Sequence, residues 1–232
     1  MKIEIIDLGL IDYERAWKLQ DEYAAEIGEG KRPPTLLLLE HPHVYTFGRK
    51  GNADNLLWNE SQLKEKGIST YWVDRGGDVT YHGPGQLVGY PLMPLSPISP
   101  AGSDYVGYIR KLEEMLIGVL MGYGIGAGQR TGKTGVWIQA DVHSRCLNCS
   151  PEDKQKPAKI AAIGVKVDVR GVTRHGFALN VNPSMEYWEG IIPCGLSEPV
   201  ASLADLLDPP PSMQAVKTKV SEAFLSVFQN QP

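Results

Sequence analysis

Three cysteines are the most reactive groups in this sequence of 232 residues, and they stand in two different settings. Cys194 sits in IIPCGLSEPV (191–200), between a proline and a glycine. Cys146 and Cys149 sit in SRCLNCSPEDK (144–154). A thiol attacks as its thiolate, and a free thiol titrates near about 8.5, so a nucleophilic cysteine needs a base or a cation beside it. His82, His175, Lys159 and Lys166 are the candidates. Proline before Cys194 and glycine after it allow a tight turn with backbone amides exposed, as an oxyanion site requires. Against this, free cysteine is among the most often buried residue types. Read by itself, Cys194 is better explained as a small buried hydrophobe.

Lys159 opens the apolar run AKIAAIGVKV (158–167). Such a lysine usually stands at a strand mouth with its ammonium in water. Partial desolvation would instead lower its pKa and make the neutral amine available as a base. Lys166 is seven residues further on, which in a regular strand is the opposite face, and it reads as the solvated member. The block RGGDVTYHGPGQLVGYP (75–91) is rich in glycine, which lets backbone approach a ligand closely. It contains neither GxxxxGK[ST] nor a helix-opening GxGxxG, so nucleotide-phosphate binding has no motif behind it. Tight sheet turns and a binding wall explain the block about equally well. His143, Cys146 and Cys149 have the spacing of half a zinc site, but no second half-site exists. A plain exposed loop over 140–157 is favoured over a metal site or a reversible disulfide.

These residues need elements to hold them. Alternation predicts a strand over 2–8. Asp12 can cap a helix that runs to about Glu29, with Ala16, Trp17, Leu19, Tyr23, Ala24 and Ile27 near one face. TLLLLE (35–40) reads as a strand buried on both faces, and VYTFG (44–48), STYWV (69–73) and TGVWIQ (134–139) read as further strands. Short and long helices are expected over 59–66 and 104–123, capped by Asn59 or Ser61 and by Ser103 or Asp104. Residues 158–169 and 173–181 flank Arg170-Gly171 as a hairpin, and a last helix covers about 212–229. Clean βαβ alternation is absent. The expectation is therefore a single α+β domain over 1–232, with a mixed, largely antiparallel sheet flanked by helices.

Composition narrows the function classes. Apolar content of 42% and charged content of 22% are ordinary for a soluble globular protein. A net charge of −4 gives no broad nucleic-acid-binding surface. Glu4 and Asp7 interrupt the first apolar run, and no stretch approaches the roughly 18 residues of a membrane span. A cytoplasmic protein without nucleic-acid or membrane partners is expected, and three cysteines do not make a disulfide framework.

Taken together, HPHVYTFGRKGNADNLL, RGGDVTYHGPGQLVGYPL, GKTGVWI, KIAAIGVKV, HGFALNV and IIPCGL resemble the signature blocks of the octanoyltransferase family, also called lipoyl(octanoyl) transferases. The resemblance spans about 36–203, in the family's order. It implies the biotin and lipoate protein ligase fold, a monomer, no cofactor and no metal. It also implies transfer of an octanoyl group from acyl carrier protein to a lysine of lipoyl domains. Those domains belong to the 2-oxoacid dehydrogenase complexes and the glycine cleavage H protein.

By the same resemblance, Cys194 carries the acyl group as a thioester and Lys159 is its catalytic partner. Arg75, Gly76, Gly77, His82, Tyr90, Ala162, Gly164, His175 and Gly176 would form the substrate pocket, and Arg49, Lys50 and Lys133 would dock the acidic carrier protein. An ATP-dependent lipoate ligase on the same fold, a non-catalytic lipoyl-domain binding module and a Cys–Lys thioesterase are the alternatives. One departure stands out: the connection over 140–157 is longer than the family's, and a redox- or metal-controlled lid is one reading of it.

Overall fold

A computed structural model of the chain describes residues 2–95, 97–99, 102–193 and 198–229, with backbone alone at 97–99 and 102–103. Cys194 lies outside the described residues. The elements run in the order β1 (Glu4–Leu10), α1 (Tyr13–Gly28), β2 (Thr35–Glu40), β3 (Val44–Phe47), α2 (Glu60–Glu65), β4 (Ser69–Trp72), β5 (Val79–His82) and β6 (Gln86–Leu92). They continue with β7 (Pro97–Ser99), β8 (Gly102–Ser103), α3 (Tyr105–Met121), β9 (Ala127–Arg130), β10 (Lys133–Ile138), α4 (Ala140–His143), β11 (Ala158–Val167), β12 (Thr173–Asn180) and α5 (Met213–Phe228).

Seven strands form the main sheet in the order β1-β2-β6-β12-β11-β10-β9. Only β1 and β2 pair parallel; the other ladders are antiparallel. A second sheet orders β4-β3-β5. This is the mixed, largely antiparallel α+β architecture expected from the sequence. Strand β9 was not foreseen: AGQR carries no apolar alternation, and its burial pattern is that of a half-covered edge.

Strand β2 shows how the layers are built. Leu36 and Leu38 join the core formed with Leu112, Leu116, Val220 and Phe224 of α3 and α5. Leu37 and Leu39 face the other way, into the core under Ala16, Ala24 and Ile27 of α1. Period-two alternation therefore buries a leucine run on both faces, and each buried leucine contributes about 1.5–3 kcal/mol. Helix α1 packs over β6 and β12 on that face, and a cavity opens beside it, lined by residues of β6, β11 and β12.

Caps set the helix starts. Asn59 accepts from Gln62 N while the Gln62 side chain accepts from Asn59 N, a reciprocal box. Asp104 and Ser212 cap α3 and α5 through Gly107 N and Ala215 N. Asp12 precedes α1 without a side-chain capping bond. No helix of the described residues is long and apolar enough to cross a membrane.

The strand pairing tolerates no side chain at Gly176. A Cβ there would overlap the Gly89 carbonyl and lie 2.5 Å from Pro91 Cδ. Gly176→Ala is therefore expected to lower stability by about 1–3 kcal/mol through overpacking. A urea-unfolding midpoint equal to that of the parent chain would show that the ladder can part there.

Candidate active site

The position of Lys159 depends on one irregularity. Along β10, Val136 pairs with Ala161 and Trp137 with Lys159, so one step on β10 spans two on β11. Ile160 is the extra residue, a β-bulge that resets the alternation. Lys159 thereby joins the face of Ala162 and Gly164. The separation of seven between Lys159 and Lys166 does not put them on opposite faces, because the bulge lies between them. Lys166 is not a free solvated lysine either: its Nζ lies 3.9 Å from Asp74.

Beside Lys159 the sheet changes partner. Strand β12 pairs with β11 from Ala161 onward, and the segment that resumes at Glu198 takes its place at Lys159. Lys159 N donates to Pro199 O, and Ala201 N donates to Lys159 O, both at 3.0 Å. Its Nζ lies 4.8 Å from the Trp137 ring centroid, a cation–π distance. Gly135, at φ +117, lies against the lysine stem, and a Cβ there would be 2.6 Å from Ala161 O.

Beside α1, the sheet face forms a cavity of about 730 Å³. Arg75, Gly76, Gly77, His82, Tyr90, Lys159, Ala162, Gly164, His175 and Gly176 all line it, so every expected site residue within the described part of the chain is brought together. Gly164 pairs with Gly176, and Ala162 with Ala178, so the floor is nearly free of side chains. Val88, Ile109 and Phe177 supply apolar wall. Phe177 and Ala178 belong to the HGFALNV block and were legible as neighbours of His175. Tyr13 and Ile109 come from helices whose sequences signal only amphipathicity.

Polar groups in the wall are held by partners. Arg75 Nη2 donates to Thr46 O at 2.5 Å and to Thr46 Oγ1 at 2.9 Å, and Nη1 donates to Gly76 O at 2.9 Å. His82 Nδ1 donates to Gln86 Oε1 at 2.7 Å, because Gln86 Nε2 is already directed to Tyr81 O and Asn180 Oδ1. Asn180 Nδ2 donates in turn to Ala201 O at 3.0 Å. This buried chain of bonds links His82 to the segment beside Lys159 and leaves His82 Nε2 as an acceptor. Sequence reading did not single out Gln86 or Asn180.

His41 Nδ1 donates to Ile11 O, so its Nε2 accepts from Tyr90 Oη, both at 2.8 Å. His175 adopts φ +56, donates its amide N–H to Gln20 Oε1 at 2.7 Å, and contacts Asp74 through Nε2 at 2.8 Å. The His175 bond holds the Asp74 carboxyl well below the usual range, with Arg174 and Lys166 adding to it. Lys133, expected to dock a partner, instead pairs with Glu198, which Arg130 also contacts at 3.0 Å. Arg49 and Lys50 remain exposed, and Lys50 reaches the cavity wall.

The connection over 140–157 is not the exposed loop expected from its polarity. His143 and Cys146 are buried, and Cys146 and Cys149 are joined as a disulfide. No residue of this connection lines the cavity, which leaves the lid reading without a contact to act through.

Burial pushes His41 down to about 4 and His82 down to about 3, so both rings stay neutral in the fold well below the ordinary 6.5. Unfolding frees them to take up protons below about 6.5, so their stability contribution is full above that pH and is lost on acidification. Between pH 7 and pH 5 each ring is expected to cost about 2 kcal/mol. Urea unfolding across that range measures the loss, and a flat midpoint would mean that the rings are already charged in the fold.

Comparison with known proteins bears on the family and the fold. The lipoyl protein ligase A/B catalytic domain family matches residues 12–225. An octanoyltransferase of Chloroflexus aggregans is 41% identical over 231 residues, covering 99% of this chain and 96% of that protein. An octanoyltransferase of Solibacter usitatus is 43% identical over 221 residues, covering 95% and 89%. Among solved structures, the bi-partite lipoate protein ligase of Thermoplasma acidophilum shares the fold at a TM-score of 0.71 and 18% identity, covering 99% of this chain and 84% of that one. The chain belongs to the octanoyltransferase family, on the fold of the lipoyl protein ligase A/B catalytic domain.

Proposed function

We propose that this chain is an acyltransferase that moves an octanoyl group from a carrier-protein thioester to a lysine amine of a lipoyl domain. Cys194 is the acyl carrier in this reading, and Lys159 is the proton-transfer group. The observation that carries it is the bulge at Ile160, which puts Lys159 in the wall of the same cavity as the small-residue floor. Cys194 stands five residues before Pro199, the residue hydrogen-bonded to Lys159 N.

The steps balance without ATP. Lys159 Nζ accepts the Cys194 Sγ proton, and the thiolate attacks the thioester carbonyl. Collapse breaks the bond to the pantetheine sulfur, which leaves with the proton from Lys159. The acceptor lysine then gives a proton to Lys159 Nζ and attacks the Cys194 thioester. An amide forms, the C–S bond breaks, and the proton returns to Cys194 Sγ. The Trp137 ring beside Nζ favours the ammonium form that Lys159 takes on accepting the thiol proton. His82 Nε2, an acceptor by its tautomer, is suited to orient the incoming amine.

The floor suits the substrate. Ala162, Gly164, Gly176 and Ala178 leave room for an alkyl chain, and burying six methylenes yields about 5 kcal/mol at about 0.8 kcal/mol each. Exposed Arg49 and Lys50 at the mouth suit an acidic carrier protein. The E2 lipoyl domain named with the Thermoplasma ligase supports a lipoyl-domain acceptor.

Intact mass after mixing the chain with octanoyl carrier protein tests the reading. One octanoyl thioester per chain is expected without ATP, lost in Cys194→Ser and slowed by at least about 100-fold in Lys159→Ala. Acylation of Cys194→Ser at the same mass would remove Cys194 from the mechanism. Acylation that requires ATP would move the chain to the ligase class, and release of free octanoate in place of transfer would make it a thioesterase.

A further inference from the structure

The connection between β10 and β11 holds a cluster that the acyl chemistry does not use. Helix α4 ends at His143, which is 0% exposed, and the chain turns back through Cys146, which is 1% exposed. Their ligand atoms and Cys149 Sγ all lie within 4.8 Å of one another. Cys149 is only half-buried, which leaves the cluster a route to solvent.

The histidine tautomer is fixed. His143 Nδ1 lies 2.8 Å from Lys156 O, and a carbonyl only accepts, so Nδ1 carries the proton. Nε2 of the neutral ring then presents a lone pair, and it lies 3.3 Å from Cys149 Sγ. In the disulfide neither sulfur carries a hydrogen, so a fully buried acceptor faces a partner with nothing to donate. An Nδ1–H bond to a backbone carbonyl with the Nε2 lone pair turned to sulfur is how a metal-ligating histidine is oriented.

We propose that, with the cysteine pair reduced, His143 Nε2, Cys146 Sγ and Cys149 Sγ bind a zinc-class divalent cation. A thiol reductant supplies two electrons and two protons to break the S–S bond. Binding of the cation then releases two thiol protons, and a water fills the fourth position. Zinc–sulfur and zinc–nitrogen bonds of about 2.3 and 2.0 Å put tetrahedral ligand atoms about 3.5 Å apart, close to the His143–Cys149 contact already present. The sulfurs move apart from bonding distance to about 3.8 Å, a local change within one turn. Two thiolates and an imidazole favour zinc over hard cations such as magnesium.

Leu147 N donates to Asp205 O at 2.8 Å, so the cluster is tied to the backbone that follows the segment beside Lys159. The proposal stands independently of the acyl-transfer reading.

The test is metal content and spectroscopy on the full chain, purified anaerobically with a phosphine reductant. About one zinc per chain is expected by elemental mass spectrometry, and cobalt substitution should give a thiolate-to-cobalt charge-transfer band. X-ray absorption at zinc should count two sulfurs and one imidazole. His143→Gln, and Cys146→Ser with Cys149→Ser, should each fall below about a tenth of that zinc content. Reduced wild-type chain that holds no zinc and gives no cobalt band overturns the proposal, as does a pair that stays oxidised in the reductant. Should either variant fail to fold, the ligand count on the wild-type chain decides.

Discussion

Both peptide groups of Lys159 are bonded to the chain that follows Cys194, its N–H to Pro199 O and its C=O to Ala201 N. The rest of the site depends on that short parallel bridge. Strand β12 ends its pairing with β11 at Ala161, and without a new partner the start of β11 would be left as a bare edge. The segment over 199–201 fills the place, and Leu203 N to Asn180 O and Ala204 N to Val181 O carry the contact past the end of β12. The approach from the other side is pinned as well: Leu57 N donates to Gly190 O and Ile192 N to Asn55 O. The stretch that contains Cys194 is thus bounded by two backbone anchors, one of them on Lys159 itself. Lys159, the proton-transfer group of the proposed mechanism, is thus held by main-chain bonds, which do not depend on its protonation state.

A second constraint works on the cavity. An acyl chain needs an apolar trough, yet the wall carries Arg75, His82 and His175. Each is held by a partner: Arg75 by Thr46 and Gly76, His82 by Gln86 through Nδ1, His175 by Asp74. Burial pushes both histidines below the ordinary imidazole value, His82 to about 3. Buried polar groups with satisfied partners cost little, whereas an unpaired one would compete with the chain for water. The floor is completed by paired glycines and alanines, Gly164 with Gly176 and Ala162 with Ala178.

Much of this was legible in the sequence, for identifiable reasons. Glycine-rich 75–91, the lysine strand and the HGFALNV strand carry residues whose types are restricted by close backbone approach, and such restriction shows in a sequence. TLLLLE announced a strand buried on both faces because nothing else in a soluble α+β protein accepts four consecutive leucines in a strand. The bulge at Ile160 left no mark: AKIAAIG alternates no worse than a regular strand, and only the partner strand shows that one residue is extra. The left-handed backbone of His175 was equally silent, since the partners it meets there, Gln20 and Asp74, are far away in sequence. The polarity of 140–157 suggested exposure, but polarity is an average. Here most side chains do face water, while His143 and Cys146 turn inward.

That inward turn matters for how the hairpin between β10 and β11 holds its shape. Trp137 and Lys159 are register partners at its base, and 139–157 is the connection that closes it. A connection this long gives little entropic help to the pairing, since loop-closure cost rises only slowly with length but ordering each residue costs about 1–2 kcal/mol. Cross-linking Cys146 to Cys149, directly or through a shared cation with His143, shortens the free path to a compact knot anchored at Lys156 O and Asp205 O. The second anchor lies four residues past Ala201, on the same strip of chain that bonds Lys159. Order in the connection is thereby passed through backbone to both neighbours of the lysine, Trp137 on one side and 199–201 on the other, without any residue of the connection entering the cavity.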